Sequence, residues 1–389
     1  MTQQRALALL ALALTLSMST WFSASAVVPQ LREDWDLSRG TSAWLTIAVQ
    51  LGFVAGALLS SIGNVADVFP PHVVILIGSV GAAAANLLLV AADGPDGAIP
   101  LRFATGFFLA GVYPPAFKLM ATWFRRGRAF ALGTLAGAIA VGSALPHLVN
   151  GIGGLDWHLV VVATSVLTLV GGLIAWRYVP EGPYPFPRAV FDPRQAGQVF
   201  RNRGVRLASL GYFGHMWELF AMWTWFLLFF RDGHHASGTE AAYATFAVIA
   251  VGGIGCIVGG LLAERVGRAE AAAVAMLVSG TCAITIGLLV HASTWLVLAF
   301  GLVWGFAVIA DSALFSTLVT EYADQAYVGT ALALQLAIGF ALTAATIWLI
   351  PVLEDDFGWR WAFAFLAPGP LLGVLAMVRL SSLQRRAIA

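Results

Sequence analysis

Charge is what this sequence has least of. Only 11% of its 389 residues are Asp, Glu, Lys or Arg, 59% are hydrophobic, and the mean hydropathy is +0.84. A water-soluble domain carries roughly 25% charged residues, so this chain cannot clothe a water-facing surface. Lysine is almost missing: Lys118 is the single one, beside twenty arginines. The two cysteines, Cys256 and Cys282, sit in apolar runs and exclude a disulfide framework or a CxxC metal or redox motif. A net charge of +1 excludes a basic nucleic-acid footprint. No phosphate-binding P-loop occurs, which argues against ATP-driven pumping. No cofactor and no bound metal are expected.

What the sequence does have is apolar runs of membrane-spanning length. They fall at roughly 6–30, 41–64, 72–92, 100–124, 128–150 and 158–178, and again at 206–230, 241–263, 270–291, 295–319, 328–351 and 359–380. Twelve spans of about 21 residues use roughly 250 positions and leave only short connections. The first run has some grammar of a secretory signal, with Arg5 ahead of it and Ala24-Ser25-Ala26 as a small-residue site. Its apolar character continues through Trp21, Phe22, Val27 and Val28, so it is read as the first helix.

The one long polar connection holds Pro180, Pro183, Pro185, Pro187 and Pro193 with four arginines. It divides the chain into an N-terminal bundle (1–179), a linker (180–205) and a C-terminal bundle (206–389). With the N-terminus inside, fifteen arginines sort to the cytoplasmic side and five (Arg32, Arg39, Arg102, Arg231 and Arg360) to the outside. That bias predicts both termini in the cytoplasm. Trp35, Trp44, Trp157, Trp295, Trp359 and Trp361 then lie near outer helix ends, as an aromatic belt requires. The halves also echo each other. Gly63 to Asp67 ends the second span and Gly260 to Glu264 ends the eighth, 197 residues later; Asp156-Trp157 and Gly358-Trp359 open the sixth and twelfth. Such a parallel duplication is one repeat scheme of secondary transporters.

At these residues the chain resembles the major facilitator superfamily, along essentially its whole length. The family carries G-x-L-A-D-R-x-G-R after its second helix and often after its eighth. Here the second copy reads Gly260, Leu262, Ala263, Glu264, Arg265, Gly267 and Arg268, with Glu for Asp. The first keeps Gly63, Ala66 and Asp67 but has Pro70, Pro71 and His72 where glycine and basic residues are expected. The resemblance implies an all-α fold of twelve helices in two pseudo-symmetric six-helix bundles. It implies cytoplasmic gating by Asp67, Glu264, Arg265 and Arg268. Arg102 with Gly106 is similar to the family's R-x-x-x-G motif, which implies a link to proton coupling. Gly133, Gly142 and Pro146 only partly match the antiporter motif. The texture is similar to bacterial nitrate/nitrite and cyanate porters, but no arginine stands mid-way on the second or eighth helix, which disfavours nitrate.

An ionisable group in the hydrocarbon core costs about 2.5–3.5 kcal/mol on insertion scales, so each one asks for a reason. The candidates are Lys118, His147, His215, Glu218 and Asp311. His215, Glu218, Met222 and Trp225 recur at three- and four-residue spacing and are expected to turn one face of the seventh helix to a central cavity. A carboxylate in so dry a setting suits a group that loads and unloads a proton. Interhelical pairing is the structural alternative for Glu218, and snorkelling to the interface is the alternative for Lys118.

The expectation is a secondary transporter rather than an enzyme. It would move a small solute, most simply a small anion, across the bacterial inner membrane as a monomer by proton-coupled alternating access. Glu218, Asp311 and Arg102 would couple protons, while Lys118, His215, Tyr113, Met222 and Trp225 would bind substrate. Drug or metabolite efflux is the nearest alternative. Met216 and Met222 beside His215 raise a copper importer. Asp232, His234, His235 and Glu240 are the nearest approach to an embedded enzyme site, and a non-transporting sensor is a further class. Lipid and protons are the other expected partners, with no nucleic acid.

Overall fold

The computed structural model describes every residue except 64, 126, 153–155, 185–199, 235, 325–327 and 389. All twelve expected spans are helical. The first is broken, running Gln3–Ser17, Met18–Thr20, Ser23–Ala26 and Val28–Asp34. The second to sixth are Arg39–Ile62, Pro71–Ala91, Pro95–Leu109 continued by Tyr113–Ala121, Arg128–Gly151, and Trp157–Tyr178. The seventh is Arg203–His234, and the eighth is Gly238–Ala250 continued by Gly252–Val266. The last four are Arg268–Leu289, Thr294–Val308 continued by Ser312–Tyr322, Val328–Phe357, and Trp359–Arg385. Most of the linker expected over 180–205 lies outside the described residues.

Among the described residues nine helices are long and apolar enough to cross a membrane. The other three are the first, fourth and seventh. The first and fourth are broken, as is the tenth, and the seventh is loaded with polar side chains.

Polar caps mark where the chain turns. Ser38 Oγ accepts from the Thr41 amide at 3.0 Å, and Asp156 accepts from the His158 amide at 2.9 Å. That backbone hydrogen bond, with one from the His158 ring, holds the Asp156 carboxyl below its usual range. Ser237 and Glu240 form a reciprocal capping box.

Glycines then decide how closely the helices approach, as they do in lipid where small residues replace the hydrophobic driving force. A Cβ on Gly106 would overlap the Val49 carbonyl, and one on Gly305 would overlap the Val248 carbonyl. Gly52 and Gly56 sit against Phe103 and Phe107, just as Gly255 and Gly259 sit against Phe306 and Ala310. The second helix thus packs on the fourth as the eighth packs on the tenth. Between the halves the second helix meets the eleventh and the fifth meets the eighth. There a Cβ on Gly137 would come 2.8 Å from the Gly253 carbonyl. Gly267, in the motif after the eighth helix, has φ +103°, a conformation that L side chains rarely adopt.

Gly106→Val should therefore destabilise the fold by about 1–3 kcal/mol, the usual cost of overpacking. Gly260→Ala, at a glycine with open space beyond it, should be neutral. Thermal unfolding of the two variants in detergent checks both.

Candidate functional site

A cavity of about 880 Å³ lies between the two bundles. Its rim is formed by Glu264, Arg268 and Glu321, exposed residues at the side that carries the chain termini. Arg268 and Glu321 form an ion pair across that rim, tying the start of the ninth helix to the end of the tenth. Lys118 and Tyr113 stand in the wall, both partly buried. They are placed by a break in the fourth helix, which ends at Leu109 and restarts at Tyr113 with two prolines in its first turn. Proline tolerates that position because its missing N–H would have no helical partner there. The tenth helix breaks at the matching place, residues 309–311, and exposes Ala310 and Ser312 to the same cavity.

Away from the termini the cavity closes in two layers. Its blind end continues into a chamber of about 50 Å³, sharing Tyr113, Ala136 and Ser312. Aromatic rings from both halves meet there. Trp21 packs on Phe53 at 4.9 Å between centroids, Phe53 on Phe340 at 4.6 Å, and Phe220 on Phe340 at 5.3 Å. On the far side Arg39 of the second helix reaches three acids of the other bundle. It pairs with Glu354, with Asp355 at 3.2 Å and with Asp232 at 3.6 Å. Partly exposed pairs of this kind contribute up to about 1 kcal/mol each.

The polar residues of the seventh helix do not face this path. The Glu218 carboxylate is buried inside the C-terminal bundle, where it accepts from Trp304 Nε1 at 2.6 Å and from Ser279 Oγ at 2.9 Å. His215 Nδ1 lies 2.8 Å from Asp311 Oδ1, both side chains buried, in an ion-pair contact off the line of a hydrogen bond. Trp225 donates to the Ile347 carbonyl at 2.9 Å, and Met222 is fully buried.

The expected cavity face of 215, 218, 222 and 225 is thus corrected by one residue. Tyr212, Met216, Leu219, Phe220 and Trp223 line the chamber instead. The reason is partner choice: Trp304 and Ser279 of neighbouring helices satisfy the Glu218 carboxylate, and His215 turns to Asp311. Asp311 alone keeps a link to the path, through its neighbours Ala310 and Ser312 in the cavity wall.

Arg102 is also inside rather than at the outer surface where its charge alone would sort it. Its guanidinium is fully buried and makes five hydrogen bonds. The acceptors are the carbonyls of Leu45, Thr20 and Trp21, Ser23 Oγ, and Asn86 Oδ1, at 2.5–3.1 Å. The Thr20 and Trp21 carbonyls come from the break in the first helix, which the guanidinium clamps open.

Among the expected gating residues, Glu264 and Arg268 stand at the rim and Arg265 is exposed at the end of the eighth helix. The side chain of Asp67 lies outside the described residues. His235 and the His234 side chain lie outside them too, while Asp232 pairs with Arg231 at 2.9 Å and Glu240 with Ser237. Sequence reasoning missed Trp304, Ser279, Asn86 and the Arg39 cluster. Of these, only Trp304 carries a signal readable from the duplication: it stands 202 residues after Arg102, the spacing between the openings of the sixth and twelfth helices.

Comparison with known proteins agrees with this architecture. Residues 10–347 match the family model described as Major Facilitator Superfamily. The chain is similar to an MFS-type transporter of Gibberella moniliformis, 25% identical over 306 residues, 76% of this chain and 71% of that one. It is similar to a gallate transporter of Pseudomonas putida, 23% identical over 350 residues, 80% of this chain and 77% of that one. Among solved structures it resembles a bacterial homologue of the human lysosomal transporter Spinster in an inward-facing, unoccupied conformation. The TM-score is 0.70 at 17% identity, covering 98% of this chain and 95% of that one.

Replacing Arg102 should separate charge from geometry. Arg102→Met removes all five of these hydrogen bonds from a dry interior, and a hydrogen bond from a charged donor is worth about 1.5–3 kcal/mol. Arg102→Lys keeps the charge but not the planar fork. The expected order of thermal stability in detergent is wild type, then Arg102→Lys, then Arg102→Met; equal stability of all three would contradict the clamp.

Proposed function

The chain belongs to the Major Facilitator Superfamily and is a multi-pass membrane transporter, not an enzyme, and we propose that it moves a small organic anion across the bacterial inner membrane by proton-coupled alternating access. The observation that carries this reading is the cavity itself. It runs between the halves, its wall is mostly apolar, and the only lysine of the sequence stands in it. An ammonium group beside Tyr113 is suited to a carboxylate, and the surrounding apolar wall to the organic part. The likeness to a gallate transporter supports an organic anion. One chain encloses the whole cavity, which supports action as a monomer.

The arginine bias places the termini in the cytoplasm, so the cavity faces inward and the Arg39 cluster closes the outer side. Glu264 and Arg268 on the inner rim, with Arg265 at the end of the eighth helix and Asp67 in the corresponding first-half connection, are the groups that re-pair when the inner side closes. Asp311 takes up and releases the coupled proton, one residue from the cavity wall, with His215 as its partner. Glu218 is the second proton-linked group, deeper in the same bundle. Arginine does not release its proton in proteins, so Arg102 acts in coupling as a fixed charge that positions the first helix. Lys118 and Tyr113 touch the substrate. His215 acts through Asp311, and Met222 and Trp225 back the wall. The breadth of the cavity favours export of a bulkier organic molecule as the second reading.

In proteoliposomes tested with a panel of small carboxylates, Asp311→Asn and Glu218→Gln should each abolish uptake driven by a pH gradient while counterflow exchange continues. Lys118→Gln should raise the concentration for half-maximal counterflow about tenfold or more, the worth of a lost charge-assisted hydrogen bond. Unchanged pH dependence in both acid variants would overturn the coupling assignment. Wild-type counterflow affinity in Lys118→Gln would overturn the anion contact.

A further inference from the structure

The two broken helices that wall the cavity each end in a short piece, Tyr113–Ala121 in the fourth and Ser312–Tyr322 in the tenth. Pieces of nine and eleven residues are marginal as isolated helices. The last carbonyls of each have no helical donor and must find one elsewhere. Part of that supply comes from the two ends of the connection between the bundles.

At the fourth helix the start of the connection folds back on residues 122 and 123. The Gly182 amide donates to Thr122 Oγ1 at 2.7 Å, and the Tyr184 amide donates to the Thr122 carbonyl at 3.0 Å. Trp123 Nε1 donates to the Pro180 carbonyl at 3.0 Å, and the Arg125 guanidinium lies 4.7 Å from the centre of the Tyr184 ring. A Cβ on Gly182 would come 2.3 Å from the Thr122 carbonyl, so the approach requires glycine. At the tenth helix the other end does the same. Asn202 Nδ2 donates to the Tyr322 carbonyl at 2.8 Å. Its Oδ1 accepts from the Gly204 and Val205 amides and caps the seventh helix. A Cβ on Gly204 would overlap the Tyr322 ring. Thr122 and Tyr322 stand 200 residues apart, inside the 197–202 spacing at which the halves repeat. Matching helix ends are thus capped by opposite ends of one connection.

We infer that this connection is a two-ended brace, which holds in place the half-helices bearing the working groups of the cavity. Lys118 lies one turn before Thr122, and Glu321, the rim partner of Arg268, directly precedes Tyr322. Thr122 and Gly182 are therefore positioning residues for the substrate contact, and Asn202 is one for the inner rim. The first of these roles rests on the reading that Lys118 touches the substrate. The brace itself stands on the hydrogen bonds at its two ends.

Four variants separate the two ends. Thr122→Val removes the hydroxyl at constant shape, Thr122→Ser keeps it, and Gly182→Ala crowds the Thr122 carbonyl. Asn202→Asp keeps the cap on the seventh helix but removes the donor to Tyr322. Hydrogen exchange of the purified full-length protein, read by mass spectrometry, needs no ligand. Exchange over 113–121 should quicken about three- to tenfold in Thr122→Val and Gly182→Ala, the worth of one hydrogen bond. It should stay at the wild-type rate in Thr122→Ser and Asn202→Asp. Exchange over 312–322 should quicken in Asn202→Asp alone. In counterflow with acetate, benzoate and succinate as probes, Thr122→Val should raise the half-maximal concentration about threefold or more at an unchanged maximal rate. Asn202→Asp should change the maximal rate instead. Wild-type half-maximal concentrations in Thr122→Val and Gly182→Ala, with Lys118→Gln raising them, would overturn the positioning role and leave the anion contact standing. Wild-type values in Lys118→Gln too would overturn the anion reading, while the exchange pattern still decides the brace. Exchange over both half-helices that is the same in wild type and all four variants would overturn the brace.

Discussion

A charge buried in a membrane protein must be solvated by the protein itself, and the two halves of this chain meet that constraint in opposite ways. The N-terminal bundle buries a cation, Arg102, on its fourth helix and surrounds it with carbonyl and side-chain oxygens from its first, second and third. The C-terminal bundle buries a carboxyl group, Glu218, on its seventh helix and holds it with Trp304 of the tenth and Ser279 of the ninth. By the duplication these are corresponding helices: first, third and fourth in one half, seventh, ninth and tenth in the other. The cation is permanent. The carboxyl, with the Asp311–His215 pair beside it, is of the chemical kind that can also exist uncharged. The fixed charge and the carboxyl groups are thus segregated, one kind to each half.

The rest of the architecture follows from what those groups require. Arg102 needs free carbonyls, so the first helix is broken at residues 18–22. The break puts Trp21 and Phe22 at the centre of the molecule, against Phe220 and Trp223 of the other half. Glycine contacts between the second and fourth helices, and between the eighth and tenth, carry the two broken helices into place without side chains in between. The breaks at 110–112 and 309–311 then open Lys118 and the neighbours of Asp311 onto one cavity. Its far side is held shut by a dry aromatic layer and by the Arg39 cluster, and only the second of these is solvent-exposed and easily undone.

Much of the fold was legible because hydropathy in lipid is nearly an all-or-none signal. All twelve spans, the central polar connection and the echo between halves could be read from runs of residues alone. Tyr113, Lys118, Glu264 and Arg268 line the cavity, where prolines and a loop motif fix them locally. The seventh helix was misjudged by one residue. The expectation that polar side chains face a water-filled path ignores partners 61 and 86 residues away, Ser279 and Trp304, that no local pattern reveals. The break in the first helix was equally hidden. Residues 18–22 contain neither proline nor glycine, and the cause is an arginine 81 residues later in the chain. Arg39 was counted as a loop charge, since its three partners sit on helices of the other half.

The claim on which this picture stands is that buried carboxyls of the C-terminal bundle change protonation while the N-terminal charge stays fixed. Infrared difference spectroscopy of the reconstituted protein, following the carboxylic acid C=O stretch on acidification, reads this directly and needs no ligand. A band from buried protonated carboxyls should grow in the wild type, lose intensity in Asp311→Asn and in Glu218→Gln, and vanish in the double variant. A spectrum that is the same in wild type and double variant would contradict it.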